Sequence, residues 1–63
     1  MKTINLTMEN MMSTEIVIDK IFEIRNIDGF YSYVISIGGA KTKVCGTPDS
    51  ITEQINQLLT ENQ

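Results

Sequence analysis

The one cysteine, Cys45, and the run Gly38-Gly39-Ala40-Lys41-Thr42-Lys43 are the residues whose types and spacing most invite chemistry. A thiol becomes a nucleophile when a nearby cation favours its thiolate, and Lys43 stands two residues before Cys45, on the same side of an extended chain. Nothing completes that pair, because the chain has no histidine and so lacks the commonest general base. Cys45 therefore reads as a buried or interfacial structural residue. The carboxylates Asp19, Glu23, Asp28, Asp49 and Glu53 each have a local reason for their position, as corner, strand-surface, turn or helix-start residues. No catalytic residue is assigned, and a non-enzymatic protein is expected. A single cysteine without histidine also leaves no ordinary zinc set, so neither a metal nor a cofactor is expected.

Binding is the remaining chemistry. A glycine-rich backbone followed by lysine can cradle an anion, which marks Gly38, Gly39, Lys41 and Lys43 as candidate ligand-binding residues. A true phosphate loop ends in Gly-Lys-Ser/Thr and opens a helix, whereas this turn feeds a strand. Two glycines are then explained by the needs of a tight hairpin. The start of the C-terminal helix is a second place where free N–H groups attract anions, but Thr47 and Asp49 already occupy it. Tyr31 and Tyr33 alternate as the rings of a single-strand-binding sheet do. They share a phase with Phe22, Ile24 and Ile35, and that company assigns them to the core.

These residues must be positioned by a β-meander running from Lys20 to Val44. Two-residue turns at Asp28-Gly29 and Gly38-Gly39 match the preference of tight hairpins for residues that tolerate φ > 0. The first turn sets Arg25 opposite Ser32, Ile24 opposite Tyr33 and Glu23 opposite Val34. The second sets Ile35 opposite Thr42, Val34 opposite Lys43 and Tyr33 opposite Val44. With a side-chain period of two, one face collects Phe22, Ile24, Tyr31, Tyr33, Ile35, Ile37, Ala40 and Val44, and this is the expected core face. The opposite face mixes charge with apolar groups. There Ile21, Arg25, Ile27, Phe30, Ser32, Val34, Ser36 and Cys45 form a candidate interface, since apolar clusters set among charges mark interaction surfaces.

The rest of the chain frames the meander. Ile4, Leu6 and Met8 alternate with polar residues, as in a half-buried strand. The turn after it carries Met11 and Met12, adaptable apolar side chains suited to lying over a core edge. Met8, Met11 and Met12 are also alternative translation starts. The change of apolar phase between Ile18 and Ile21 predicts a bulge or tight corner at Asp19-Lys20. Thr47-Pro48-Asp49 has the chemistry of a helix start, and Ile51, Ile55, Leu58 and Leu59 follow with helical spacing. The expected fold class is a small α+β domain, 1–63. It has a twisted antiparallel sheet of four or five strands (about 3–8, 15–18, 20–27, 30–37 and 40–45). One amphipathic helix, about 48–60, packs on the aromatic face, with residues 60–63 frayed.

A chain of 63 residues buries only about 60% of its unfolded surface. With disulfide and zinc excluded, homo-oligomerisation is the expected source of further stability. The lone thiol, the lack of a long apolar run and the lack of a basic-then-apolar leader predict a cytoplasmic protein without a membrane span. A formal charge of −3, with five basic residues that form no run, disfavours nucleic acid as a partner.

Ile4-Asn-Leu-Thr7, the corner Ile18-Asp-Lys-Ile21, the hairpin strand Tyr33-Val-Ile-Ser-Ile37, a glycine turn, a strand ending in Val44, and Thr47-Pro-Asp-Ser-Ile51 entering a helix together resemble the FlbD-like family of small flagellar-associated proteins. The similarity spans most of the chain. Departures are the methionine-rich first turn, where that family has Asn-Gly, and a long hairpin without Pro-Asp. The resemblance implies a strand-rich sheet with a C-terminal helix, no catalysis, and a structural or regulatory part in motility. From the residues themselves the leading expectation is a binding module that engages a protein or sequesters a small anionic ligand. Small inhibitory accessory proteins of phages and mobile elements act in this way. A weak nucleic-acid-binding sheet is a third reading.

Overall fold

A computed structural model describes residues 1–61. The chain runs β1 (Thr3–Thr7), β2 (Ser13–Val17), a 3-10 turn (Ile18–Lys20), β3 (Ile21–Asn26), β4 (Tyr31–Ser36), β5 (Lys41–Cys45) and α1 (Pro48–Thr60). It is an α+β fold with five antiparallel strands and a C-terminal helix. The strands form two sheets, the hairpin β1-β2 and the meander β3-β4-β5. A single sheet was expected. The 3-10 turn separates the two, and Lys20 at its end gives its carbonyl to the Ile37 N–H (2.9 Å). One antiparallel bridge, Met8 to Val44, links the hairpin to the meander.

In the hairpin Ile4 faces Ile16 and Leu6 faces Thr14, which puts the three buried aliphatic groups on one side. Ser13 and Thr14 belong to β2, two residues before the strand was expected to begin. The intervening loop is closed by the Met8 N–H on the Met12 carbonyl (2.7 Å), and Met11 takes a left-handed φ of 72°.

Both meander turns are one residue longer than a two-residue hairpin, for two different reasons. At the first, the Asp28 carboxylate accepts the N–H groups of Phe30 (2.8 Å) and Tyr31 (3.0 Å), and Ile27 N–H donates to the Tyr31 carbonyl (3.1 Å). The side chain of Asp28 thus closes the turn in place of a backbone pair. At the second, Ser36 N–H meets the Ala40 carbonyl and Gly39 N–H the Ser36 carbonyl, each at 2.8 Å. Gly39 has φ +94°, as in three-residue hairpins that close on a left-handed glycine.

Each extra residue moves a pairing by one place. Ile24 lies opposite Val34, and Val34 opposite Thr42. Ile24 and Val44 keep their inward side, while β4 between them is turned over. Ser32 and Val34 point into the core, at 0% and 1% exposure. Tyr31 and Tyr33 lie half-buried on the other side of the sheet, and Ile35, in the same phase, is only 8% exposed. The extra residue in β3 is Phe22, which sits at a register shift between Ile21 and Glu23 and is 72% exposed.

The core is aliphatic: Ile4, Leu6, Ile16, Val34, Val44 and Ile51, with Ile18, Ile21, Ile24, Met8, Ile55 and Leu58 packed around them. α1 covers the Val34 and Val44 face, against the expectation that it would cover the aromatic one. Thr47 caps it, its hydroxyl oxygen accepting the Ser50 N–H (3.2 Å), and Pro48 opens the first turn. The last turn holds no basic residue of its own. Lys2, from the chain start, donates instead to the Leu58 carbonyl (2.9 Å), satisfying one of the acceptors that a helix end leaves free. Leu59 lies off the packed stripe and is 46% exposed. Thr60 is still helical. The fraying expected of Asn62 and Gln63 falls outside the described residues. Among the described residues no helix is long and apolar enough to cross a membrane.

Gly46 turns the chain from β5 into α1 with φ +119°. Its N–H donates to the Phe30 carbonyl (2.7 Å), and its carbonyl accepts the buried Ser32 hydroxyl (2.8 Å). The one fully buried polar side chain among the described residues is thereby paired.

Candidate functional site

The outer face of β3-β4-β5 is where most of the chemistry gathers. Residues directly opposite one another across an antiparallel pair share a face, so the pairings read as rows. Glu23, Ile35 and Lys41 form one row. Arg25, Tyr33 and Lys43 form the next. Tyr31 and Cys45 form the third, with Ile27 hydrogen-bonded to Tyr31.

Two half-buried rings are thus set among three cations. The Lys43 ammonium lies 4.9 Å from the centre of the Tyr31 ring and that of Lys41 5.8 Å from the centre of Tyr33, within the range of cation–π attraction. Arg25 forms a two-bond pair with Glu23 (3.0 and 3.3 Å). That hydrogen bond, and then the charge of Glu23, raises the guanidinium above its already high ordinary pKa. Lys43 is bonded to Glu9 (2.9 Å). The bond holds the ammonium above the ordinary lysine value, against the opposing effect of lost solvent. Lys43 is therefore cationic at every physiological pH.

Charge is divided unevenly between this face and the remainder. Arg25, Lys41 and Lys43 are three of the five basic residues, and Glu23 is one of the eight acids. Those four groups sum to +2, and with Glu9 and Asp28 counted the surface is neutral while the rest of the chain carries −3. Glu9 and Asp28 stand at its rim, Glu9 on Lys43 and Asp28 on its own loop N–H groups. Beside the face, along the edge of β5, runs an open groove of about 310 Å³ lined by Met8, Glu9, Asn10, Lys41, Thr42 and Lys43. A second groove, about 360 Å³ between β1 and α1, is lined by Ile4, Asn5, Gln54, Gln57, Leu58 and Glu61. It offers amides and one carboxylate, but no cation.

The candidate ligand residues are thus partly separated. Lys41 and Lys43 border the groove and the rings. Gly38 and Gly39 lie in the exposed β4–β5 loop, and the Gly39 N–H is taken by the turn. The expected interface is divided between two sides of the sheet. Ser32 and Val34 are buried, Ile21 packs on the core and Ser36 is half-buried, so the first two offer a partner nothing. Arg25 and Cys45 are on the outer face, and Ile27 and Phe30 are exposed at its end, by 39% and 76%. Cys45 is a half-buried free thiol donating to the Met8 carbonyl (3.8 Å). No group of three or more His, Cys, Asp or Glu suited to a metal ion occurs among the described residues.

Tyr31, Tyr33 and Glu9 were not identified as site residues from sequence. The signal was there in the two alternating triplets Tyr31-Ser32-Tyr33 and Lys41-Thr42-Lys43. Joined by a loop of odd length, these place rings and ammonium groups on one face. The chain matches no family model, no curated protein and no solved structure.

Proposed function

We propose that this chain is a non-catalytic capture module. It binds an anionic small molecule bearing a planar ring on the outer face of the meander, and withholds it from other proteins. The observation that carries this reading is that both tyrosines lie on the solvent side of the sheet with an ammonium group over each ring. Lysine over a tyrosine at the solvent side of a sheet is a weak contact, and stacking of a nucleobase on an aromatic side chain is stronger. A flat ligand therefore displaces the ammonium from the ring, and the ammonium takes up the ligand's phosphate or carboxylate through a charge-assisted bond. The surface, neutral once Glu9 and Asp28 are counted, repels an approaching anion less than the rest of the chain, which carries −3.

The test is a titration followed by NMR. The chain has two tyrosines, two phenylalanines and no tryptophan, so the tyrosine ring protons are resolved reporters of the face. Adenosine 5′-monophosphate should move them upfield, while ribose 5-phosphate leaves them in place. Lys41→Glu should abolish the shift of the Tyr33 ring, over which Lys41 lies, without changing the thermal midpoint. Equal responses to the two compounds, or none to either at millimolar concentration, would overturn the reading.

A second reading, self-association through the same face, is favoured by the exposure of Phe22 (72%) and Ile37 (66%) near one end of it. Back-to-back copies would cover the tyrosines. Sedimentation velocity separates the two readings, since a ligand competing for the face lowers the dimer fraction.

A further inference from the structure

We infer that the ligand of this face is a dinucleotide unit, two nucleobases joined through phosphate, with one base on each tyrosine. The inference rests on the capture reading above and adds the ligand's repeat. Tyr31 and Tyr33 are two residues apart on β4, so their rings repeat at about 7 Å, twice the rise of an extended strand. Stacked bases in one strand of a nucleic acid repeat at about 3.4 Å. Two neighbouring bases therefore cannot stay stacked on each other and also lie on both rings. They must be splayed apart to about twice that spacing, one ring to each base, as sheet platforms that read single strands require.

The cations have the same repeat. Lys41 and Lys43 are also two apart, on the neighbouring strand, and they pair with Ile35 and Tyr33. Lys43 lies over the Tyr31 ring and Lys41 over the Tyr33 ring. Each ring thus has its own ammonium on the β5 side, and the groove of about 310 Å³ continues outward from those lysines. Bases on β4 with phosphates along β5 is the one arrangement that uses both pairs at once. Arg25, on the opposite side of Tyr33, is held by Glu23 in two bonds. On the β5 side Lys43 is held by Glu9 in one, which a phosphate has to displace, and Lys41 forms no ion pair among the described residues.

Such a unit occurs in a free linear or cyclic dinucleotide and in any exposed single strand, and one experiment separates these sources. Calorimetry and NMR are run on the intact chain with adenosine 5′-monophosphate, the linear dinucleotide pApA, a tetra-adenylate and cyclic di-adenylate. The expected result is that pApA moves both tyrosine rings together, with an affinity about tenfold or more above that of the mononucleotide, the gain due to a second stacked base. Tyr31→Leu and Tyr33→Leu, which keep apolar area on the sheet, should each reduce pApA to the mononucleotide level while leaving mononucleotide binding at the other ring. If pApA binds no better than the mononucleotide, the dinucleotide inference is overturned and the capture reading stands. If neither binds, both fall. A tetra-adenylate tighter than pApA, with affinity dropping as salt rises, supports the inference with a single strand as the source. Tighter binding of cyclic di-adenylate than of either linear form supports it with a cyclic dinucleotide as the source.

Discussion

The two faces of the meander are built from the same three strands and share no chemistry. Inward, Ile24, Val34 and Val44 meet the hairpin and α1 in a core made of aliphatic side chains and one thioether. Outward, Tyr31 and Tyr33 sit among Arg25, Lys41 and Lys43. All four aromatic residues of the chain are away from the core cluster, with Phe22 and Phe30 72% and 76% exposed. An aromatic side chain buries roughly 150–250 Å² when enclosed, and a domain of this size is short of buried area. Leaving every ring outside gives up stability. The difference teaches that the inner face holds the fold and the outer face is available for contact.

The largest expected effect tests that division directly. Ile51 is fully buried between helix and sheet, and Ile51→Ala should cost about 2–5 kcal/mol. A chain of 63 residues has a total stability of about 3–9 kcal/mol at the usual value per residue. The urea transition of Ile51→Ala should therefore move most of the way to zero denaturant. Tyr33→Ala should leave that midpoint close to wild type while lowering the affinity for pApA to the mononucleotide level. If the tyrosine variant unfolds as readily as the isoleucine one, the outer face is a second core and the division is wrong.

A smaller effect is expected where the two faces are joined. Gly46 at φ +119° stands in a region that side chains avoid, and a Cβ there would lie 3.4 Å from Ile51 Cγ1. Gly46→Ala should cost about 1–3 kcal/mol, measured as a shift of the denaturation midpoint at unchanged slope. Because the Gly46 carbonyl also accepts the Ser32 hydroxyl, the Ser32 amide should exchange faster with solvent in the variant. Unchanged stability would mean that the β5–α1 corner is not under tension and does not help to set the side on which β4 presents its rings.

The helix and β5 were legible in the sequence, and the side taken by β4 and the bulge in β3 were not. Thr47, Pro48 and the Ile51, Ile55, Leu58 stripe act locally, through capping and period, so α1 begins and ends where that chemistry places it. Val44 points inward as the single apolar phase of β5 requires. β3 carries Ile21 in one phase and Phe22 and Ile24 in the other, and the register shift at Phe22 brings Ile21 onto the core and leaves the ring 72% exposed. β4 is different. Tyr31, Tyr33 and Ile35 are apolar in one phase, while Val34 carries the other with two serines beside it, and the bulkier set was assigned to the core. What decides the outcome is the length of two loops. One is set by the Asp28 carboxylate taking two N–H groups and the other by a left-handed Gly39, and a single residue in each reverses the face. The same reversal hid the candidate site. A net charge of −3 argues against an anionic ligand only when charge is averaged over the chain, and with β4 turned over three cations and two rings share one surface.

The smallest expected effect concerns the rim of that surface. Glu9 reaches from the β1–β2 loop to hold Lys43 at 2.9 Å, and both side chains are substantially exposed, at 61% and 33%. Exposed pairs of this kind contribute little to stability, so Glu9→Gln should leave the denaturation midpoint nearly unchanged. Its effect on ligand should be visible, because a phosphate that takes Lys43 must first displace the carboxylate. Affinity for the anionic ligand should rise by about two- to fivefold at low salt, and less at high salt. The pH dependence has a definite sign. Glu9 raises the pKa of Lys43, so the pair is fully formed below the ordinary lysine value and is lost as pH rises through the raised one. Removing Glu9 lowers that upper limit. The variant should therefore bind more tightly than wild type across the neutral range and lose its ligand at a less alkaline pH, as followed by calorimetry over a pH series. Tighter binding without the alkaline displacement would place the competing contact on Lys41, and no gain at neutral pH would mean that phosphate and carboxylate occupy different sides of the ammonium.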